Sequence, residues 1–462
     1  MKNIYFFVPC DIYIRDFDAR LITVLSVIKY VKNVKFIIGS QHEVNKFIIK
    51  NNNIKKMIYL EKGIDTRYSS WYYYLAKRGC LIYTLSEEGG IFEKNRNLVS
   101  FDIDTDNLDL IRKNFIWSNL IYEEIIKNKK KFFNHSEFLV TGNPRFDLCS
   151  ENFNDFYDNF LEQYKKKKCI VISSTFTSGN SSVPDELKII RLISKKNYLK
   201  SSYQFDKVRK KYSNELRNHF IKLTKEISNE NPDIQIFFRP HPVESHDIYK
   251  KHFQNFENII VNNSVPARDM IAISDTLIHH DCTTAIECFL NNKKPIAYLP
   301  IFDENVAQEI PIKVSYIKKS IIEVKNQLTE ILKNKNFVDL KKSNLEYFLE
   351  NFNNNSYEKI SNVLIEDIKN FNSLKLKKPV KFKIKSLLNY LIAIYVRFNR
   401  LIIEKFSGLF SQKKFSKHNK FSKNIELNEL KNKIQILSKK IILKKQLKIK
   451  KLNNNLFMIE DE

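Results

Sequence analysis

Short apolar runs alternate with longer amphipathic stretches through the first 165 residues. IYFFV (4–8), VKFIIG (34–39), KMIYL (56–60), CLIYTL (80–85), NFIW (114–117) and EFLVTG (137–142) are β-branched or aromatic and bounded by polar or glycine-containing turns. That pattern predicts buried strands. Between the first two, ARLITVLSVIKYV sets Leu21, Leu25 and Ile28 on one helical face. Strand and helix alternating at this spacing predict a parallel, doubly wound sheet. A lysine run at 165–168 then precedes CIVISSTF, and the alternation resumes with IQIFF, NIIVN, TLIHH and PIAYL as strands and a Lys-rich helical insertion around 185–230. The expected organisation is two Rossmann-like α/β domains, 1–165 and 166–372, with ligand between them at the carboxyl ends of the strands. Residues 373–462 read differently, as a basic amphipathic helical tail.

Composition narrows the class. A 462-residue chain that is 43% hydrophobic and 13% aromatic is folded, not disordered. Its net charge of +26 looks like a nucleic-acid signal until it is mapped. Residues 375–462 hold 23 Lys and Arg against six acids, a net +17, which leaves +9 over the other 374 residues. Abundant Asn, Ile, Lys and Phe suggest an AT-rich genome, which accounts for much of that remainder. The tail carries no recognisable nucleic-acid module, and charge alone is non-specific, so nucleic acid is not an expected partner. A basic amphipathic stretch suits an anionic membrane surface; a solvated appendage or a partner-binding coil is the alternative. The N-terminus lacks the apolar core of a signal peptide, and no window offers the roughly 18 to 20 uncharged apolar residues of a spanning helix. The expectation is a cytoplasmic protein, with peripheral attachment at the inner face of the cytoplasmic membrane left open. Six cysteines without CxxC spacing indicate neither a disulfide framework nor a zinc ribbon.

Three segments carry candidate chemistry. In FFRPHPVES (237–245), two prolines stiffen the chain at a strand end and hold Arg239 and His241 there, where a cation and an imidazole suit a phosphate or a developing leaving-group charge. HHDCTTAIE (279–287) ends the next strand at the same edge. Thr284 and Glu287 have capping-box spacing, Thr283 and Thr284 offer hydroxyls and amides to an anion, and Glu287 is placed to reach a ribose diol. A metal site would need His279, His280 and Asp281 to converge, yet adjacent strand residues point to opposite faces, so none is expected. Cys282 has no identifiable partner as a nucleophile. In SEEGG (86–90), Glu87 and Glu88 arrive at a strand end followed by glycines that permit close backbone approach; a carboxylate there serves as general base or nucleophile. Asp16 and Asp18 in RDFDARL are second choices, with a helix N-terminus as their plainer explanation.

The order strand-RPHP, strand-HHDCTT, helix-E and then NNKKPIAYLP resembles the nucleotide-binding domain of GT-B glycosyltransferases. It is nearest to the bacterial surface-carbohydrate group that includes β-Kdo capsule transferases and CDP-polyol phosphotransferases. RDFDARL (15–21), IIGS (37–40), EKG (61–63), SEEGG and TGNPRFDL (141–148) resemble surface carbohydrate biosynthesis proteins, and the likeness spans about residues 5–310. The resemblance implies a metal-independent transferase without a cofactor, moving a sugar from a nucleotide-activated donor to a glycan or lipid-linked acceptor of capsule or lipopolysaccharide. A CDP-polyol phosphotransferase, a sugar-nucleotide epimerase and a non-catalytic assembly factor are the alternatives. It further implies that Arg239, His241, Thr283 and Thr284 contact donor phosphates, with His241 also catalytic. Glu287 would bind ribose, Gly142 and Asn143 shape the cleft wall, Arg145 faces a charged ligand, and Glu88 acts on the acceptor. HHDCTT stands where relatives have a glycine-rich loop.

Overall fold

A computed structural model describes residues 3–63, 69–87, 108–129, 137–180, 200–304, 307–333, 346–352, 355–374 and 424–462. They form two compact α/β units. The described residues up to Leu148, together with those from 346 onward, make the first; Cys149 through 333 make the second.

The first unit is built on β1 (Ile4–Cys10), β2 (Val34–Ser40), β3 (Met57–Glu61), β4 (Cys80–Leu85), β5 (Ile111–Ile116) and β6 (Glu137–Val140). These six lie parallel in the order β2-β1-β3-β4-β5-β6, matching every strand expected from the apolar runs. Phe7, Ile37, Tyr59 and Ile82 are sealed in its core. The order reverses between β1 and β3, so their carboxyl ends open a crevice.

The second unit contains β7 (Cys169–Ser173), β8 (Gln235–Arg239), β9 (Ile259–Val261), β10 (Thr276–His279), β11 (Ile296–Tyr298) and β12 (Tyr316–Lys318). All are parallel, in the order β12-β11-β10-β7-β8-β9. Numbered from β7, this is the doubly wound order 3-2-1-4-5-6, with its switch point between β7 and β10. Ile170, Ile172, Ile236, Phe238, Ile278 and Ile296 form its core, where a fully buried side chain of this size contributes roughly 1.5–3 kcal/mol. The expected helical insertion is present as helix Lys200–Glu230.

The boundaries differ from those read off the sequence. The passage between units falls at Leu148/Cys149, not at the lysine run 165–168. Helix Ser356–Lys369, assigned above to the second domain, packs instead on helix Tyr13–Ile28 of the first. Arg112 holds it there with two hydrogen bonds to Asp367, at 2.7 and 2.6 Å, and the Tyr83 hydroxyl donates to the same carboxylate at 2.6 Å.

The tail is corrected too. Residues 375–423 lie outside the described residues, but 424–462 are part of the first sheet and not a helical appendage. Helix Leu427–Lys440 buries Leu430, Ile434 and Leu437 and joins helix Tyr13–Ile28 through Lys433 to Asp18 (2.9 Å) and the Tyr13 hydroxyl to Glu429 (2.7 Å). The chain then turns into β13 (Leu447–Asn453) and β14 (Leu456–Asp461), and β14 pairs antiparallel with β2. LKIKK alternates with period two, a strand pattern that the surrounding lysines disguise as a helix face.

Gly39 in β2 makes that pairing possible. A Cβ there would collide with the Asn455 carbonyl oxygen and lie 2.9 Å from Leu456 Cα. Gly39→Val is expected to cost about 1–3 kcal/mol of stability by overpacking and to loosen β14 first. Native-state hydrogen exchange should speed up at the amides of residues 456–459 while β7 and β8 keep their protection.

Candidate functional site

The switch point of the second unit lies at the strand ends that carry FFRPHPVES and HHDCTTAIE. β7 lies between β8 and β10, and Ser173 stands opposite Arg239 in the register. The ends of these three strands, Ser173, Arg239 and His279, therefore share one edge, and the chain leaving each is Ser174-Thr175-Phe176, Pro240-His241-Pro242 and His280-Asp281-Cys282. Extended backbone enforced before each proline carries β8 straight to this edge.

Arg239 is 8% exposed and its buried Nε has no hydrogen-bond partner. Beside it Ser173 Oγ is likewise buried and unpartnered, and the Thr284 hydroxyl has only the Cys282 thiol next to it. Burial pushes the Arg239 pKa down, and the negative charge of Glu287 is the largest influence in the other direction. A guanidinium taken out of water needs an anion or a set of acceptors, since burying an uncompensated charge is costly. Arg239 Nε and Ser173 Oγ are thus buried polar groups without a partner at this edge, and the carboxylates acting on Arg239 are Glu287, at 7% exposure, and Asp269, at 2%.

Glu244 braces the edge. It accepts from Ser174 Oγ (3.0 Å), the Phe176 amide (3.0 Å), the His241 amide (3.2 Å) and the Tyr249 hydroxyl. One buried carboxylate thereby ties the loop after β7 to the loop after β8. Burial raises its pKa, against the pull of these donors. The Val243 amide donates to His241 Nδ1 at 3.3 Å, which leaves Nε2 to carry the proton of the neutral ring. The motifs of FFRPHPVES do not mark Glu244; its signal in the sequence is an acid two residues past a rigid Pro-His-Pro.

The two histidines of HHDCTTAIE are structural. His279 Nε2 bonds Ser315 Oγ at 2.8 Å, its Nδ1 accepts the Cys282 amide at 3.3 Å, and burial brings its pKa down to about 3. His280 Nε2 meets the Tyr212 hydroxyl (3.1 Å) and the Ile301 carbonyl (3.3 Å), and its Nδ1 lies 3.3 Å from Asp281. Asp281 in turn accepts from Thr175 Oγ1 and the Gln308 amide, both at 3.1 Å. The capping box does not form: helix Thr284–Leu290 starts with Thr283 as N-cap, in helical conformation and with no side-chain cap. Thr284 is instead the first helical residue, and it is buried beside the Cys282 thiol. Burial pushes the Cys282 thiol up to about 11, so it is protonated near neutrality.

In the first unit, Glu87 forms a buried pair with Arg20, at 2.6 Å, while Arg20 also donates to the Leu60 carbonyl at 2.9 Å. Asn143 Nδ2 donates to Glu87 Oε2 (3.3 Å) and the Ser86 carbonyl (2.7 Å), and its Oδ1 accepts the Arg145 amide (2.8 Å) as an N-cap. Both polar ends of Asn143 are thus committed inside this unit. Arg145 is 9% exposed, its guanidinium 4.5 Å from the Phe146 ring. Gly142 has φ +78°, and a Cβ there would lie 2.6 Å from Asn351 Oδ1. Asp16 accepts from the Ile12 amide at 3.0 Å and pairs with Arg15, and Asp18 pairs with Lys433, so both second-choice acids hold the first helix in place. Glu88 lies outside the described residues. The crevice between β1 and β3 is flanked by residues the sequence quoted only in passing: Lys62 bonded to Asp11 at 2.6 Å, and buried Glu61, which accepts from Gln41 at 3.2 Å.

No family model and no curated protein matches this chain. Among solved structures it is similar to the Staphylococcus aureus MnaA–UDP co-structure, at 12% identity and TM-score 0.46, covering 83% of this chain and 100% of that one. A putative UDP-N-acetylglucosamine 2-epimerase from Listeria monocytogenes is similar at 11% identity and TM-score 0.47, covering 83% and 99%. The wall teichoic acid polymerase TagF soaked with CDPG is similar at 14% identity and TM-score 0.49, covering 81% and 90%.

The state of His279 gives a pH test. An unfolded histidine takes up a proton below about pH 6.5, whereas folded His279 stays neutral down to about 3. Unfolding therefore binds a proton across that window, and this residue makes stability fall on acidification by up to about 1.4 kcal/mol per pH unit. His279→Gln should flatten the acid limb of the denaturant midpoint against pH; an unchanged limb would show His279 protonating in the folded state.

Proposed function

We propose that the protein is a metal-independent glycosyltransferase of bacterial surface-polysaccharide assembly that uses a nucleotide-activated sugar. The observation that carries this reading is the buried Arg239, its Nε without an acceptor, at the end of β8 beside the switch point of a 3-2-1-4-5-6 sheet. A donor diphosphate supplies the acceptor that Arg239 Nε lacks. Arg239, Ser173 Oγ, Thr283 and Thr284 Oγ1 bind its oxygens, and Glu287 accepts from the ribose hydroxyls.

In the proposed reaction the acceptor hydroxyl attacks the anomeric carbon, its proton passes to a carboxylate, and the bond from that carbon to the diphosphate oxygen breaks. The negative charge gathering on the leaving diphosphate is met by Arg239, with the Nε2–H of His241 as a further donor. Glu88 is the acceptor-side base of this proposal, supported by its place between Glu87, at the end of β4, and the glycines that follow. Surface glycan or a lipid-linked precursor is the acceptor class.

Thermal unfolding with CMP, CDP, UDP, GDP and their sugar conjugates tests this reading. One nucleotide series is expected to raise Tm, and Arg239→Ala should weaken that ligand about a hundredfold by removing charge-assisted hydrogen bonds. His241→Ala and Glu287→Ala should weaken it less. Selective response to CDP-glycerol or CDP-ribitol would redirect the assignment to polyol-phosphate transfer. If no nucleotide shifts Tm, or if binding survives Arg239→Ala, the reading fails.

A further inference from the structure

The turn between helix Leu427–Lys440 and β13 is built against local preference. The helix closes with the Leu443 amide on the Ser438 carbonyl (2.8 Å) and the Ile442 amide on the Lys439 carbonyl (3.2 Å). That pair of bonds requires left-handed backbone at residue 442, a place favouring glycine or asparagine. The residue is Ile442, with φ +54°, and its side chain is 67% exposed. A β-branched residue in that conformation is a genuine outlier, and here the strained side chain contributes no core packing in return.

Its surroundings are one-signed. Between Lys431 and Lys451 there are nine lysines and no acid. Lys433, Lys445 and Lys451 pair with Asp18, Asp461 and Glu426, but Lys431, Lys439, Lys444, Lys448 and Lys450 have no acidic partner among the described residues. Several of these rim a groove of about 520 Å³ between the helix and β13, floored by half-buried Leu443, Leu447 and Ile449. Along β13 the outward lysines 448 and 450 alternate with the inward aliphatics. An exposed aliphatic tip inside a ring of unpaired lysines is complementary to a surface that offers anions at its face and hydrocarbon just beneath.

We propose that this face docks on an anionic phospholipid bilayer, with Ile442 entering the headgroup boundary and the lysines on lipid phosphates. The face belongs to the first unit and does not depend on the nucleotide reading.

The test is co-sedimentation of the full chain with phosphatidylglycerol-containing vesicles and with pure phosphatidylcholine vesicles. Binding to the anionic vesicles alone is expected, lost when salt is raised to about 1 M, where the Debye length falls to roughly 3 Å. The double variant Lys439→Glu, Lys444→Glu should weaken it by at least about thirtyfold, from two lysines at roughly tenfold or less each plus the added repulsion. Ile442→Asn is the decisive variant. Asparagine tolerates left-handed backbone, so this protein should melt no lower than wild type while losing vesicle affinity. Equal binding to phosphatidylcholine, or undiminished binding by both variants, overturns the proposal. So does a variant-dependent change of oligomeric state without vesicles, which would make the face a contact between copies. Nucleotide-induced Tm shifts should be the same in all three proteins, so failure here and failure of the transferase reading are read separately.

Discussion

Parallel β-strands whose faces are both covered by helices send all their carboxyl ends to one edge, and the structure depends on that constraint twice. In the second unit it sets Ser173, Arg239 and the chain after His279 side by side, although 66 residues separate the first two in sequence. In the first unit it gathers Asp11, Lys62, Arg20 and Glu87 around the corresponding edge. The sheet core contributes stability without chemistry, and the edge holds the polar groups that the core could not bury.

The fate of the buried charges separates the structural from the chemical. Arg20 is balanced by Glu87 and two backbone carbonyls, Arg112 by Asp367, and Glu244 by four donors from three segments. Breaking any of these sets would leave a charge or a polar group stranded, which is costly in a low-dielectric interior. Arg239 differs: burial lowers its pKa against the charge of Glu287, its Nε has no acceptor, and the Ser173 hydroxyl opposite it in the register is buried and unpartnered too. A group held in an unfavourable state by its surroundings is where a ligand gains most on binding.

The C-terminal segment shows the same economy at the other end of the first sheet. β14 covers the edge of β2, and β13 takes over as the exposed edge with lysines at alternate positions, which discourages pairing with another chain. The helix before it anchors to the first helix through Asp18 and Tyr13, so one of the two acids that RDFDARL offers to catalysis, Asp18, holds the C-terminal helix instead.

The central parallel strands were legible from the chain alone, because buried parallel strands are continuous apolar runs, whereas β12, β13 and β14 at the sheet margins were not. The sequence placed Arg239 at the end of a strand as well, because the prolines that follow constrain the backbone locally. Partners were beyond it. That His279 and His280 are bonded to Ser315 and Tyr212, that Glu244 ties two loops together, that Asn143 caps a helix inside the first unit, and that residues 346–374 and 424–462 return to the first unit are facts of long-range pairing. Period and propensity describe what a segment can form. Only the tertiary structure decides which edge it fills and which charge it meets, because those depend on groups brought near by folding and not by order along the chain.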